Sequence, residues 1–266
     1  MNVSGIVCEL SNAHNGSLDR ALRIIEACAD AGADVMKFQS YTVPELCELR
    51  GVPEDQPALA PWDHMTMGEL YRKARTDSMW FPTLITKCEV VGLPWFSSVF
   101  GPHSLIMLES HSCPAYKLAS LDVAQDAFRK LVMSKGKPVI QSTPDLLDLD
   151  GVVQLYCPPG YPQEVKSNRE LRKDFDRLLL FGTCDGFSYH GTDWKVPALA
   201  AEHGAKIVEV HVQLDSEPSE LEANCCLGMA DLAKLVEAIH GKRDMGKVQA
   251  KRRGRTKVTA TMGVLK

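Results

Sequence analysis

Short apolar runs alternate with longer amphipathic stretches along most of the chain. Gly5–Leu10 (GIVCEL) has the length and continuous apolarity of a buried strand, and Ser17–Ala31 carries Leu22, Ile25 and Cys28 on one helical stripe. The same reading predicts strands at Asp34–Gln39, Pro94–Ser98, Ala115–Leu118, Pro138–Ser142, Val152–Cys157, Gly186–Ser188 and Lys206–Val212. Between them it predicts helices within Thr66–Val91, broken or kinked by Pro82, and at Ser104–Glu109, Val123–Ser134, Asn168–Leu180 and Trp194–His203, with Met229–His240 last. Ser40–His64 is rich in proline and charge and reads as a long connection. Eight strands separated by helices close most naturally as a (β/α)8 TIM barrel. One unit is short: only Thr143–Gly151 separates the fifth and sixth strands, room for a turn or two in place of a crossover helix. Residues 1–241 are expected to form the barrel domain and 242–266, without apolar periodicity, a basic C-terminal tail.

Composition narrows the class. With 266 residues, 45% hydrophobic and 24% charged, the chain is neither disordered, collagen-like nor coiled-coil, and one barrel uses nearly all of it. The net charge of −4 hides an asymmetry: residues 242–266 hold nine Lys/Arg and one acid, leaving 21 bases against 33 acids before them. Nine cysteines, an odd number without CxxC spacing, favour reduced thiols in the cytoplasm over disulfides or a zinc knuckle. The N-terminus lacks a signal-peptide pattern, and no run approaches the roughly 18 apolar residues needed to span a membrane. Lys251–Arg255 (KRRGR) has no interleaved aromatics and follows an acidic body, so a solvated tail or a subunit contact is expected and no nucleic-acid partner. Dinucleotide, P-loop and nucleophile-elbow motifs are absent.

A barrel carries its chemistry at the C-terminal ends of its strands. Read in order, those ends present Glu9, Lys37 and Gln39, Ser97 and Ser98, Lys117 and Ser120, Ser142 and Thr143, Tyr161, Ser188 and His190, and Glu209 and His211. Alone, either lysine reads as a surface side chain and either histidine as a structural one. Together the lysines would repel unless an anion sits between them, which points to a phosphate or carboxylate ligand. His190 and His211, on neighbouring strand ends, are either hydrogen-bonded structural groups or partners on one divalent cation. Glu9 and Glu209 are barrel salt-bridge partners, or act on substrate hydroxyls, a bound water or a proton.

The segments Glu9-Leu-Ser-Asn-Ala-His-Asn-Gly16, Ala31-Gly-Ala-Asp-Val-Met-Lys-Phe-Gln39, Phe96-Ser-Ser-Val-Phe100, Tyr116-Lys-Leu-Ala-Ser120, Gly136-Lys-Pro-Val-Ile-Gln-Ser-Thr143, Tyr161-Pro162, Gly186-Phe-Ser-Tyr-His190 and Gly204-Ala-Lys-Ile-Val-Glu-Val-His211 carry a resemblance. In this order and spacing they resemble the catalytic barrel of the sialic acid (N-acetylneuraminate and related nonulosonate) synthase family. The resemblance implies condensation of phosphoenolpyruvate with an open-chain N-acyl amino sugar, such as N-acetylmannosamine, to a nine-carbon 2-keto acid and phosphate. It implies Mn²⁺ or Mg²⁺ on His190 and His211. Lys37, Ser98, Lys117, Ser120 and Ser188 would contact phosphoenolpyruvate, Glu9, Tyr161 and Glu222 the sugar, and Glu209 would lie near the reacting enol. A homodimer is also implied, although the family's small C-terminal antifreeze-like domain, which supplies an arginine to the partner's sugar site, is not found here. Whether Arg252, Arg253 or Arg255 of the basic tail takes that arginine's place is a question for a truncation at Gly241. Two departures bear on activity: Pro159 stands where the family has a phosphate-binding asparagine, and Tyr189 where it has an acid beside His190. They leave open a different aldehyde acceptor, or a catalytically impaired barrel serving as a binding or assembly subunit.

Overall fold

The computed structural model describes residues 5–145, 147, 149–163, 167–180 and 184–241; the basic tail at 242–266, with Arg252, Arg253 and Arg255, lies outside them. Strands β1 (Gly5–Glu9), β2 (Val35–Ser40), β3 (Trp95–Val99), β4 (Tyr116–Leu118), β5 (Val139–Thr143), β6 (Val153–Tyr156), β7 (Gly186–Tyr189) and β8 (Ile207–Gln213) pair in chain order. β8 also pairs in parallel with β1, from Gly5↔Ile207 to Glu9↔His211, and this closes the barrel. The chain is a (β/α)8 barrel. Among the described residues no helix lies between β5 and β6, which pair directly.

The helices are α1 (Leu18–Ala31), α2 (Val43–Arg50), α3 (Met67–Ala74), α4 (Phe81–Val91), α5 (Pro102–Ser110), α6 (Asp126–Met133), α7 (Asn168–Phe175), α8 (Lys195–Glu202) and α9 (Met229–His240). Local chemistry sets their ends. Ser17 caps α1 by accepting from the Arg20 N–H, and Gly32 ends it at φ 94°, a backbone that glycine adopts without strain. Pro82 sits in the first turn of α4, where no helical N–H is needed, so Thr66–Val91 becomes two helices with a 3₁₀ turn at Ser78–Trp80 between them. α7 continues as a π-helical turn through Asp176–Leu180.

Two elements depart from the sequence expectation. Ser40–His64 is not all connection: Thr42 and Glu45 form a reciprocal capping box that starts α2. A ninth strand, β9 (Cys226–Gly228), pairs in parallel with the upper end of β8, His211↔Cys226. Along β8, Val208, Val210 and Val212 alternate with Glu209 and His211, so the valines pack under the helices while the polar pair enters the barrel. Gly186 is required at the β7–β8 seam, because a Cβ there would overlap the Ile207 carbonyl oxygen.

Candidate active site

At the centre of the strand ends lies a cluster of four buried charged groups. Lys37 Nζ is 2.7 Å from Glu9 Oε2 and 2.9 Å from Glu209 Oε1. Lys117 Nζ donates to both Glu209 oxygens, at 2.9 and 3.0 Å. The anion between the two lysines is therefore the protein's own Glu209, which corrects the expectation that the pair needs a ligand to hold it together. Hydroxyls complete the shell: Lys37 donates to Ser98 Oγ at 3.2 Å, and Ser188 Oγ donates to Glu209 Oε1 at 3.1 Å. Glu9 Oε1 accepts from the Ser11 N–H at 2.6 Å.

Burial opposes the Glu209 charge, but Lys117 and Lys37 overcome it and hold the carboxyl well below the usual carboxylate range. Lys37 is likewise desolvated, yet Glu209 and Glu9 keep its ammonium more firmly protonated than usual. Burial pushes Glu9 up, only partly relieved by Lys37. The same burial lowers Lys117, which Glu209 partly restores and Lys37 opposes.

His190 and His211 sit above this cluster, their rings 4.8 Å apart and nearly perpendicular at 87°. Burial lowers His190 to about 4, and burial with His190 beside it takes His211 well below the ordinary histidine value. Both imidazoles are thus neutral, with lone pairs available to a cation, and this donor set fits a divalent metal. Tyr161 packs its ring against both, at centroid distances of 4.9 and 5.7 Å, and is 38% exposed at the cavity mouth. Its hydroxyl donates to Glu222 Oε2.

Glu222, which the resemblance makes a sugar contact, stands apart from the cavity lining. It is 3% exposed and does not line the cavity; its carboxylate accepts from Ser11 Oγ at 3.0 Å and Asn12 N at 3.2 Å, and lies 3.3 Å from His211 Nδ1. Burial raises it to about 8, against the help of Ser11 and Asn12. Tyr189 turns its hydroxyl to the Asp193 N–H at 3.4 Å and stacks on Phe187, away from the His190 imidazole.

The cluster opens into a cavity of about 560 Å³. Glu9, Lys37, Ser98, Lys117, Ser120, Tyr161, Ser188, His190, Glu209 and His211 all line it, so ten of the eleven residues to which the resemblance gives a role converge on one space. Pro159 is on its wall as well. The outer wall has no counterpart in the sequence expectation: Trp62 and Arg50 come from the segment read as a connection, Tyr71 from α3 and Phe100 from the end of β3. Arg50 lies 5.7 Å from the Tyr71 ring and 5.6 Å from Phe100, with Asp122 behind it, 3.6 Å from Nε. The signal was in the sequence, as Thr42-Val-Pro-Glu45 is a capping-box pattern ahead of Leu46 and Cys47.

The chain is 30% identical over 251 residues to the pseudaminic acid synthase of Helicobacter pylori, covering 88% of this chain and 73% of that one. It is 24% identical over 249 residues to the N-acetylneuraminate-9-phosphate synthase of Homo sapiens, covering 88% and 68%. A crystal structure of the N-acetylneuraminic acid (sialic acid) synthetase from Leptospira borgpetersenii, in complex with citrate, shares the fold with a TM-score of 0.73 at 22% identity, over 96% of this chain and 93% of that one. The strand-end lysines, glutamates and histidines thus sit in a barrel whose residues 24–145 and 148–250 match one family model, and the chain belongs to the NeuB family.

Proposed function

We propose that the chain condenses phosphoenolpyruvate with an open-chain N-acyl amino sugar, giving a nine-carbon 2-keto sugar acid and phosphate. The observation that carries this reading is the pair of lysines sharing Glu209 at the floor of a cavity whose rim holds two neutral histidines. Family membership supports the same chemistry. The relatives ranked by identity place pseudaminic acid synthase ahead of N-acetylneuraminate-9-phosphate synthase, so the acceptor is better sought among precursors of pseudaminic acid than in N-acetylmannosamine alone.

In this reading Lys37 and Lys117 receive the phosphate and carboxylate of phosphoenolpyruvate, with Ser98, Ser120 and Ser188 as hydroxyl partners. Glu209 would exchange its lysine contacts for a position beside the enol. A carbon–carbon bond forms between the enol carbon and the aldehyde carbon, water adds at the adjacent carbon, and cleavage of its bond to the phosphate oxygen releases phosphate. His190 and His211 would hold Mn²⁺ or Mg²⁺, which supplies Lewis-acid polarisation of the aldehyde oxygen. Tyr161, whose hydroxyl already bonds Glu222, would contact the sugar at the mouth. The outer wall of Trp62, Tyr71 and Phe100 gives the N-acyl group an apolar surface. The nine cysteines are buried with no disulfide among the described residues, and no described helix is long and apolar enough to cross a membrane, which suits a cytoplasmic enzyme.

The test is phosphate release from phosphoenolpyruvate with Mn²⁺ or Mg²⁺ and a panel of N-acyl amino sugars, including acceptors of both relatives, with mass spectrometry of the product. Release that depends on the sugar, with a nine-carbon keto acid formed, is expected. No release with any acceptor, together with no thermal shift from phosphoenolpyruvate, would overturn the reading.

A further inference from the structure

β8 and β9 run parallel with His211 and Cys226 as direct register partners, so imidazole and thiol emerge side by side from neighbouring strands. The 3₁₀ turn Ala223–Cys225 leads into β9, and Glu222 immediately before it swings its carboxylate to within 3.3 Å of His211 Nδ1. A nitrogen of His211, an oxygen of Glu222 and the sulfur of Cys226 all lie within 4.8 Å of one another, and all three residues are buried. Ligands to one ion stand about 2.0–2.3 Å from it, so a small rotation of each side chain draws this trio onto a shared centre. The trio is braced from outside, because Ser11 Oγ and the Asn12 N–H hold the Glu222 carboxylate in place. The Tyr161 hydroxyl, 3.4 Å from His211 Nδ1, faces the remaining side.

We infer that His211, Glu222 and Cys226 form a three-ligand site for a thiophilic divalent cation, with the Cys226 sulfur as a direct ligand. A thiolate with imidazole and carboxylate favours zinc or cobalt over the oxygen-seeking Mg²⁺ and Mn²⁺. The site shares His211 with the histidine pair but takes its other two donors from the β9 side, not from the cavity wall. It therefore gives the barrel a sulfur ligand next to the proposed synthase centre. Beyond its use of His211, it does not depend on that synthase reading.

The experiment is spectroscopic. The full chain is titrated with Co²⁺ alongside Cys226→Ser and Cys225→Ser, and the zinc-loaded wild-type protein is examined by X-ray absorption at the zinc edge. A near-ultraviolet sulfur-to-cobalt charge-transfer band is expected in wild type and Cys225→Ser and not in Cys226→Ser, with Co²⁺ affinity about tenfold or more weaker in the latter. The zinc edge needs no variant, and should show one sulfur scatterer. Absence of that scatterer, or a band that persists in Cys226→Ser, overturns the site. A band without phosphate release in the synthase assay would sink the synthase reading and leave this site standing; turnover without sulfur ligation would do the reverse.

Discussion

Glu209 is the anion that the two buried lysines share: both ammonium groups point at one carboxylate that is 2% exposed. Glu209→Gln leaves Lys117 without an ion-pair partner among the described residues, and breaking a buried pair from one side costs about 3–5 kcal/mol. Urea denaturation should register a loss of that order, and an unchanged midpoint would mean that water reaches the lysines. His14 makes a separate residue-scale prediction. It is fully buried, accepts from the Gly16 N–H through Nδ1, and has no partner at Nε2 among the described residues. Burial, then Arg20, lowers it from 6.5 to about 4. Between those values the unfolded chain holds the proton and the native chain does not, so stability is present above 6.5 and is lost as pH falls towards 4. The loss from this group is of order 2–3 kcal/mol, and His14→Leu should flatten the melting temperature against pH across that window. Parallel pH profiles for the two proteins would refute it.

At the scale of elements, α2 is held by polar chemistry. Glu45 caps its own helix through Thr42 and also accepts from His103 N at 2.6 Å, Ser104 N at 3.2 Å and Ser104 Oγ at 2.7 Å at the start of α5. Burial works against the Glu45 charge, but the Ser104 and Thr42 donors hold its carboxyl below the ordinary value. A Cβ on Gly101 would overlap that carboxylate, so the approach of the two helices depends on glycine there. Thr42→Ala should cost roughly 1 kcal/mol, and Glu45→Ala more because it also strips α5 of its cap. Amide exchange should show the added opening in both helices for Glu45→Ala; protection lost in α2 alone would break the proposed link.

This region also shows where sequence reading stopped. The eight barrel strands were legible because each is a short, largely apolar run, and the site followed because the polar residues within or just beyond their ends converge by topology. α2 was not, because Pro44 and four charged residues over Glu45–Arg50 and Glu54 mask the capping box with a loop-like composition. Lys37 and Lys117 were recognised as neighbours, but distance alone could reveal that Glu209 from the eighth strand fills the gap between them. The inward turn of Glu222 depends on Ser11 and Asn12, more than 200 residues earlier, and no local pattern encodes such a contact.

At the scale of the whole molecule, the floor of the cavity balances two ammonium groups against two carboxylates. In the proposed reaction a multiply anionic substrate entering there would bring uncompensated charge, which a divalent cation on neutral His190 and His211 would offset. Phosphoenolpyruvate and the cation should therefore bind with positive, reciprocal coupling. Calorimetry should give a tighter phosphoenolpyruvate affinity in Mn²⁺ than in chelator, and a tighter Mn²⁺ affinity by the same factor when phosphoenolpyruvate is present. Equal affinities would rule the coupling out.

The barrel closes where its first strand meets its last, and the loops on either side of that seam are stitched together. Arg20 bonds both the Ala13 carbonyl and Glu217, Arg23 bonds Glu217, Asn15 reaches Pro218 and Glu220, and Ser219 donates to Asn12. The same stitching fixes Glu222 beneath His211. A ribosome making this chain has to deliver residue 222 before Ser11 and Asn12 acquire their carboxylate partner, so no amino-terminal fragment ending short of it can carry a finished site. Catalytic competence would then be the last property the nascent molecule acquires, and the first lost when the seam opens.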